Sequence, residues 1–193
     1  MRKFLHSLEK GEEWNTYLVC GREWEGFGYS EWDNLYSDGE SGRIRVGLDR
    51  TGRFYWELTV ELVDDPERPV YCTYLGHAAS VEEACEAAVA YAPETVTLEY
   101  FGTSFTCYGN PRKDNSKLWT FVVDGEKAEV LGPFKSINGE GENFTWYHKW
   151  KPAELLLEGF CDPFGELKGK APTMREAMIA AVDAPDRFKR ACV

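Results

Sequence analysis

The chain has 193 residues, a length that holds one domain or two small ones. Hydrophobic residues make up 43 %, with 7 Trp, 10 Tyr and 11 Phe, enough for a packed core and too many for a disordered chain. The 22 basic and 33 acidic side chains give a net charge of −11, which argues against wrapping nucleic acid, because phosphate neutralisation needs clustered Lys and Arg.

In chain order, Lys3–Lys10 reads as a short helix. Strands are predicted near Thr16–Cys20, Glu23–Tyr29, Arg43–Asp49, Arg53–Leu62 and Val70–Leu75, where aromatic and β-branched runs are bounded by Gly, Pro and Asp. A helix follows at Val81–Tyr91. Further strands are predicted near Thr95–Phe101, Thr103–Tyr108, Lys117–Val123, Ala128–Leu131, Asn143–Trp150 and Leu155–Phe160, and a second helix at Met174–Val182. Asp49-Arg50-Thr51-Gly52 and Asp124-Gly125 read as hairpin turns, since glycine tolerates positive φ. The pattern is α+β: two tandem antiparallel β-meander units, residues 1–93 and 94–193, each followed by one covering helix.

An internal repeat supports that division. Gly76–Val89 lies 93 residues before Gly169–Val182, and seven of the 14 aligned positions are identical. Ser80 and Thr173 are each followed three residues on by a glutamate, Glu83 and Glu176, which is the signature of a capping box. Pro93 and Pro185 then read as stop signals, because a proline ring cannot continue the helical ladder. Whether the two copies share one sheet or form two stays open at this level.

The six cysteines are scattered, with no CxxC pair, and sit in apolar contexts such as Leu18-Val19-Cys20. They read as buried, reduced thiols of a cytoplasmic protein. No apolar run approaches the roughly 18 residues of a membrane-spanning helix, and Met1–Lys10 lacks the apolar stretch of a secretory signal.

Motifs of common chemistries are missing. The histidines His6, His77 and His148 form no HxH or HExxH, so no metal is expected. There is no GxSxG, and Gly26-Phe27-Gly28 lacks the remainder of a dinucleotide fingerprint, so no catalytic residue and no cofactor are assigned. Arg112, Lys113 and Lys117, with Arg187, Lys189 and Arg190, are the best basic cluster. Trp119 and Phe121 stand near it, which sketches a small stacking platform against the plainer reading of a solvated loop and tail.

Charge is unevenly shared. Residues 1–96 hold 9 basic and 19 acidic side chains, a net of −10, whereas residues 97–193 hold 13 and 14, a net of −1. Nine carboxylates lie between Glu9 and Glu40, interleaved with Trp14, Trp24, Phe27, Tyr29, Trp32 and Tyr36. Trp and Tyr are favoured interface anchors, so Glu23, Trp24, Glu25, Glu31, Trp32, Asp33, Tyr36, Asp38 and Glu40 are the candidate partner-binding residues.

The combination of an aromatic strand, a Gly-x-Ala-x-Ser/Thr step and an Ala-rich helix, carried by Phe54–Val89 and Trp146–Val182, resembles small phage and prophage accessory proteins. These include inhibitors of bacterial defence systems of the anti-CRISPR and antirestriction type, often acidic and sometimes nucleic-acid mimics. The resemblance implies a non-enzymatic protein in the host cytoplasm that docks on the basic surface of a host protein or nucleoprotein complex, without itself binding nucleic acid or membrane. Its nearly neutral second half departs from a pure mimic. A phage assembly protein and an enzyme with a cleft between the halves are the alternatives, and the oligomeric state is open.

Overall fold

The computed structural model describes residues 3–29, 32–39, 41–63, 70–135, 141–149 and 166–191. The chain divides into two compact units, Met1–Glu61 with Tyr71–Ala92, and Leu62–Val70 with Pro93–Val193. The α+β architecture of meanders with one helix after each sheet holds.

The first sheet has seven antiparallel strands in sequence order: β1 (Glu9–Lys10), β2 (Thr16–Val19), β3 (Arg22–Tyr29), β4 (Trp32–Gly39), β5 (Gly42–Leu48), β6 (Phe54–Val63) and β7 (Val70–Ala78). Helix α1 (Val81–Ala90) follows and packs on β5. The second sheet has six strands, again a plain meander: β8 (Glu94–Tyr100), β9 (Thr103–Pro111), β10 (Lys117–Val123), β11 (Glu126–Lys135), β12 (Glu142–Lys149) and β13 (Glu166–Ala171), with α2 (Met174–Ala191) after it.

Tight turns set the register. Cys20-Gly21, Phe101-Gly102 and Asp124-Gly125 are two-residue hairpin loops with positive φ at both positions. Such primed turns match the twist of the flanking strands, and glycine takes the second place each time. Cys20 is thereby exposed, unlike the buried thiol expected from its apolar neighbours. At the β5–β6 turn, Asp49 Oδ1 accepts from Thr51 Oγ1, Thr51 N and Arg53 N at 2.7, 2.7 and 3.0 Å. The Thr51 hydroxyl first, then those backbone donors, hold the Asp49 carboxyl at about 2.

The two helices start alike. Ser80 Oγ accepts from Glu83 N at 3.2 Å and Thr173 Oγ1 from Glu176 N at 3.2 Å, so both predicted N-caps form, while the glutamates turn back to Ala79 N and to the Thr173 hydroxyl instead of the cap N–H. Equivalent positions face the two cores: Ala84, Cys85 and Ala88 in α1, and Ala177, Met178 and Ala181 in α2. The glycines that open the repeat also match. A Cβ on Gly76 would lie 2.3 Å from the Trp56 indole, and one on Gly169 2.6 Å from the Trp146 indole. In each unit a tryptophan lies flat over the glycine of the last strand.

Four expectations fail, each for a physical reason. The Lys3–Lys10 helix is only a three-residue 3-10 turn, Leu5–Ser7, followed by β1. A helix that short lacks the length to repay nucleation, and Asp33 takes the N–H groups of Phe4 and Leu5. Strand β4 was not predicted, because Asp33, Asn34, Ser37, Asp38 and Gly39 are turn-forming residues. Strand β13 escaped for the same reason, its Glu-Leu-Lys-Gly-Lys-Ala being polar and glycine-broken. Helix α2 does not stop near Pro185 but runs through it to Ala191. The strand predicted at Leu155–Phe160 lies outside the described residues.

Candidate functional site

Helix α1 covers one face of the seven-stranded sheet, where Trp24, Leu35, Ile44, Val46, Leu58 and Tyr74 form the core. Side chains alternate along a strand, so the neighbours of these residues point to the other face. On that open face Glu25 stands opposite Thr16 on one side and Tyr36 on the other. Tyr36 in turn stands opposite Arg45, and Arg45 opposite Glu57. A second cross-strand row contains Asp38, Arg43 and Thr59.

The face is concave. A hollow of about 540 Å³ is lined by Glu13, Glu23, Glu25, Asp38, Tyr36 and Arg43, among others. A second, of about 580 Å³, shares Tyr36 and Arg43 and extends over Phe27, Asn34, Arg45 and Glu57. Phe27 is 50 % exposed and meets Tyr36 edge-on at 5.6 Å between ring centroids. Arg43 lies over the Tyr36 ring at 5.4 Å and Arg45 over the Tyr55 ring at 5.6 Å. Arg45 Nε also donates to Asn34 Oδ1 at 3.1 Å. Glu23 Oε1 accepts from Glu12 N at 2.7 Å. Among the described residues, none of Glu13, Glu23, Glu25, Asp38, Arg43 and Arg45 is in an ion pair. With Glu57, the face therefore carries five carboxylates beside two arginines, none of them in an ion pair among the described residues.

Of the nine residues singled out in sequence, four meet here: Glu23, Glu25, Tyr36 and Asp38. Glu31 and Glu40 lie outside the described residues, and Trp32 is placed only as part of β4. Trp24 and Asp33 belong to the covered side. Trp24 is 1 % exposed, at the centre of the core. Asp33 is 4 % exposed; its Oδ2 accepts from Phe4 N and Leu5 N at 2.6 and 2.9 Å, and its Oδ1 lies 3.3 Å from Lys3 Nζ. Asp33 thus ties the N-terminal segment to β4. Asp33→Asn removes the charge behind these bonds, and we expect a loss of about 1–2 kcal/mol in urea unfolding with the open face undisturbed.

Five contributors were missed: Glu13, Trp14, Phe27, Arg43 and Arg45. Arg43 and Arg45 belong to the face only because β4 lies between them and the glutamates. Trp14, 95 % exposed, directly follows the groove residue Glu13. Its place within the run of carboxylates and aromatics was the available signal.

The stacking platform outlined near Lys117 is not formed. Trp119 and Phe121 are buried in the core of the second unit with Leu98, Val130 and Met178, so neither ring is open to a base. Nucleophilic thiol chemistry also finds no support at two cysteines: burial pushes Cys85 and Cys107 up to about 12, which keeps them protonated. Among the described residues no three His, Cys, Asp or Glu side chains are placed to hold a metal ion, and no helix is long and apolar enough to cross a membrane.

One further hollow, of about 160 Å³, lies in the second unit between His148, Glu126, Asp124, Val182 and Pro185. His148 Nδ1 lies 2.7 Å from Ala181 O, and its Nε2 is 3.9 Å from Glu126 Oε2. A carbonyl only accepts, so Nδ1 carries the proton. The hollow is smaller than the pockets that enclose small-molecule ligands.

No protein-family model, no curated protein and no solved structure matches the chain.

Proposed function

We propose that this chain is a non-enzymatic binding protein that docks the open face of its first unit on a basic surface of a host nucleic-acid-binding complex. In this reading it is an inhibitor of the kind carried by phages and mobile elements. The observation that supports it is the grouping of Glu13, Glu23, Glu25 and Asp38, none of them ion-paired within the described residues, in one concave surface. Carboxylates left without cations raise a negative potential that steers a Lys- and Arg-rich partner to the groove. Phe27, Tyr36 and Trp14 supply the aromatic anchors that give such an encounter a lifetime. The near-neutral second half of the chain, residues 97–193, then serves as scaffold rather than mimic.

The test is a pull-down from bacterial lysate with the wild-type chain and with Glu23→Lys/Glu25→Lys/Asp38→Lys. Wild type is expected to retain nucleic-acid-binding proteins that both salt and added duplex DNA displace. At about 1 kcal/mol per exposed carboxylate, and more with each reversal, the triple variant should bind on the order of 100-fold more weakly. Its circular dichroism should be unchanged. Retention that salt and the triple variant leave intact would overturn the reading.

A further inference from the structure

The open face is not uniformly acidic, and its pattern has a symmetry. Across β3, β4 and β5 one row runs Glu25, Tyr36, Arg45. Continuing the same antiparallel register two residues beyond its last pair, Glu25 with Tyr36, sets Glu23 level with Asp38, and Asp38 pairs with Arg43. Acid stands on one side of β4 and arginine on the other, at the same height, twice.

We infer that this face also pairs with the same face of a second copy of the chain, about a two-fold axis running along β4. A half-turn about that axis exchanges the two sides of β4. It lays β3 of one copy over β5 of the other while keeping each residue's height along the strand. Glu25 then opposes the second copy's Arg45, and Glu23 opposes its Arg43, each pair occurring twice because a two-fold interface is self-complementary. Strands keep a common direction, the aligned mode in which sheets pack about 10 Å apart, a gap that Glu and Arg side chains span from both sides. Phe27, level with Asn34 and Gly47, comes over the second copy's Gly47, which is covered by the side chains of Asn34 and Tyr55. The aromatic pair Phe27–Tyr36 borders the charged rows, Tyr36 between Glu25 and Arg45 and Phe27 one row beyond. On the axis itself Tyr36 and Asp38 oppose their own copies, each Asp38 beside the Arg43 of its own chain; an axis across the strands at the height of Tyr36 instead sets Glu25 over Glu25 and Arg45 over Arg45.

The arrangement accounts for four charged side chains that stay out of ion pairs within the described residues although Asp38 and Arg43 are cross-strand neighbours. Since the basic partner proposed above uses the same surface, dimer and complex exclude each other, and self-association sets how much free face is available. The dimer does not depend on that proposal.

The experiment is sedimentation velocity on the full chain at low ionic strength, for wild type, Glu25→Arg, Arg45→Glu and the double variant Glu25→Arg/Arg45→Glu. Wild type is expected to be a dimer that salt dissociates. Either single reversal, acting twice across the axis, should raise the dimer Kd about tenfold or more, and the double variant should restore it. The exposed pair Glu23→Arg and Arg43→Glu repeats the test should Arg45→Glu disturb its bond to Asn34. A wild-type monomer at the highest concentration reached, or single reversals that leave the dimer intact, would overturn the inference. So would a double variant that stays monomeric with native circular dichroism. A wild-type monomer would leave the whole open face free for a basic partner, so the lysate pull-down tests the proposed function separately.

Discussion

Trp24→Ala is expected to lower the stability of the first unit by about 3–5 kcal/mol, the range for emptying a large aromatic site in a packed core. Trp24 is among the largest fully buried side chains, and it stands between Tyr17 across the sheet and the strands that carry Leu35 and Ile44. Among the described residues its indole N–H has no acceptor, so the packing surface is what holds it there. That orphan donor yields a sharper expectation: Trp24→Phe should cost far less than Trp24→Ala, because it keeps most of the ring contact and removes a buried unsatisfied group. Urea unfolding followed at the first unit's transition measures both. A Trp24→Ala variant that kept wild-type stability but lost a binding partner would return this residue to the surface role its sequence context suggested.

The second large effect lies at His148. In a helix the N–H of residue 185 would bond Ala181 O, but Pro185 has no N–H to give. Ala181 is fully buried, and its carbonyl accepts instead from His148 Nδ1 at 2.7 Å. One imidazole on β12 thereby lets α2 pass through a proline. The matching place in the first unit is held by Leu58, and α1 ends before Pro93. His148→Leu keeps bulk and burial but orphans the carbonyl, and we expect a loss of about 1–3 kcal/mol in the second unit. Pro185→Ala should be stabilising in both backgrounds, since proline is a poor helix interior residue. The gain should be larger in His148→Leu, where the new N–H meets a free acceptor instead of competing with His148. A coupling of about 1 kcal/mol or more is expected from the double-mutant cycle. Equal gains in the two backgrounds would show that His148 does not replace the missing helical bond.

Those two residues mark how far the amino-acid order could be read. The helix starts were legible because the capping signal is a three-residue relation, Ser80 to Glu83 and Thr173 to Glu176, and its N-cap bond forms in both. Strands β2, β3 and β10 were legible from runs of β-forming residues, and β5 and β6 from the same signal with a turn between them. Strand β4 was not, although it stands between the glutamates of β3 and the arginines of β5. Its turn-forming residues are held extended by two neighbouring strands, a tertiary condition that local propensity does not see. The end of α2 was misread for the same reason. A proline is a local stop signal, and a histidine 37 residues earlier in the chain supplies the bond that overrides it.

Length, charge and spacing by themselves determined an α+β chain of two meanders with capped helices, and put nearly all of its excess negative charge in the first half. The tertiary structure alone decided where that charge stands. It drew Asp33 and Trp24 into the packed side of the sheet and left Glu23, Glu25 and Asp38 on the open side with Arg43 and Arg45. Periodicity tells which residues of one strand share a face, because that depends on steps of two along the chain. Which strands lie side by side, and at what register, depends on pairings between distant segments, and the charge pattern of a surface is a property of the register.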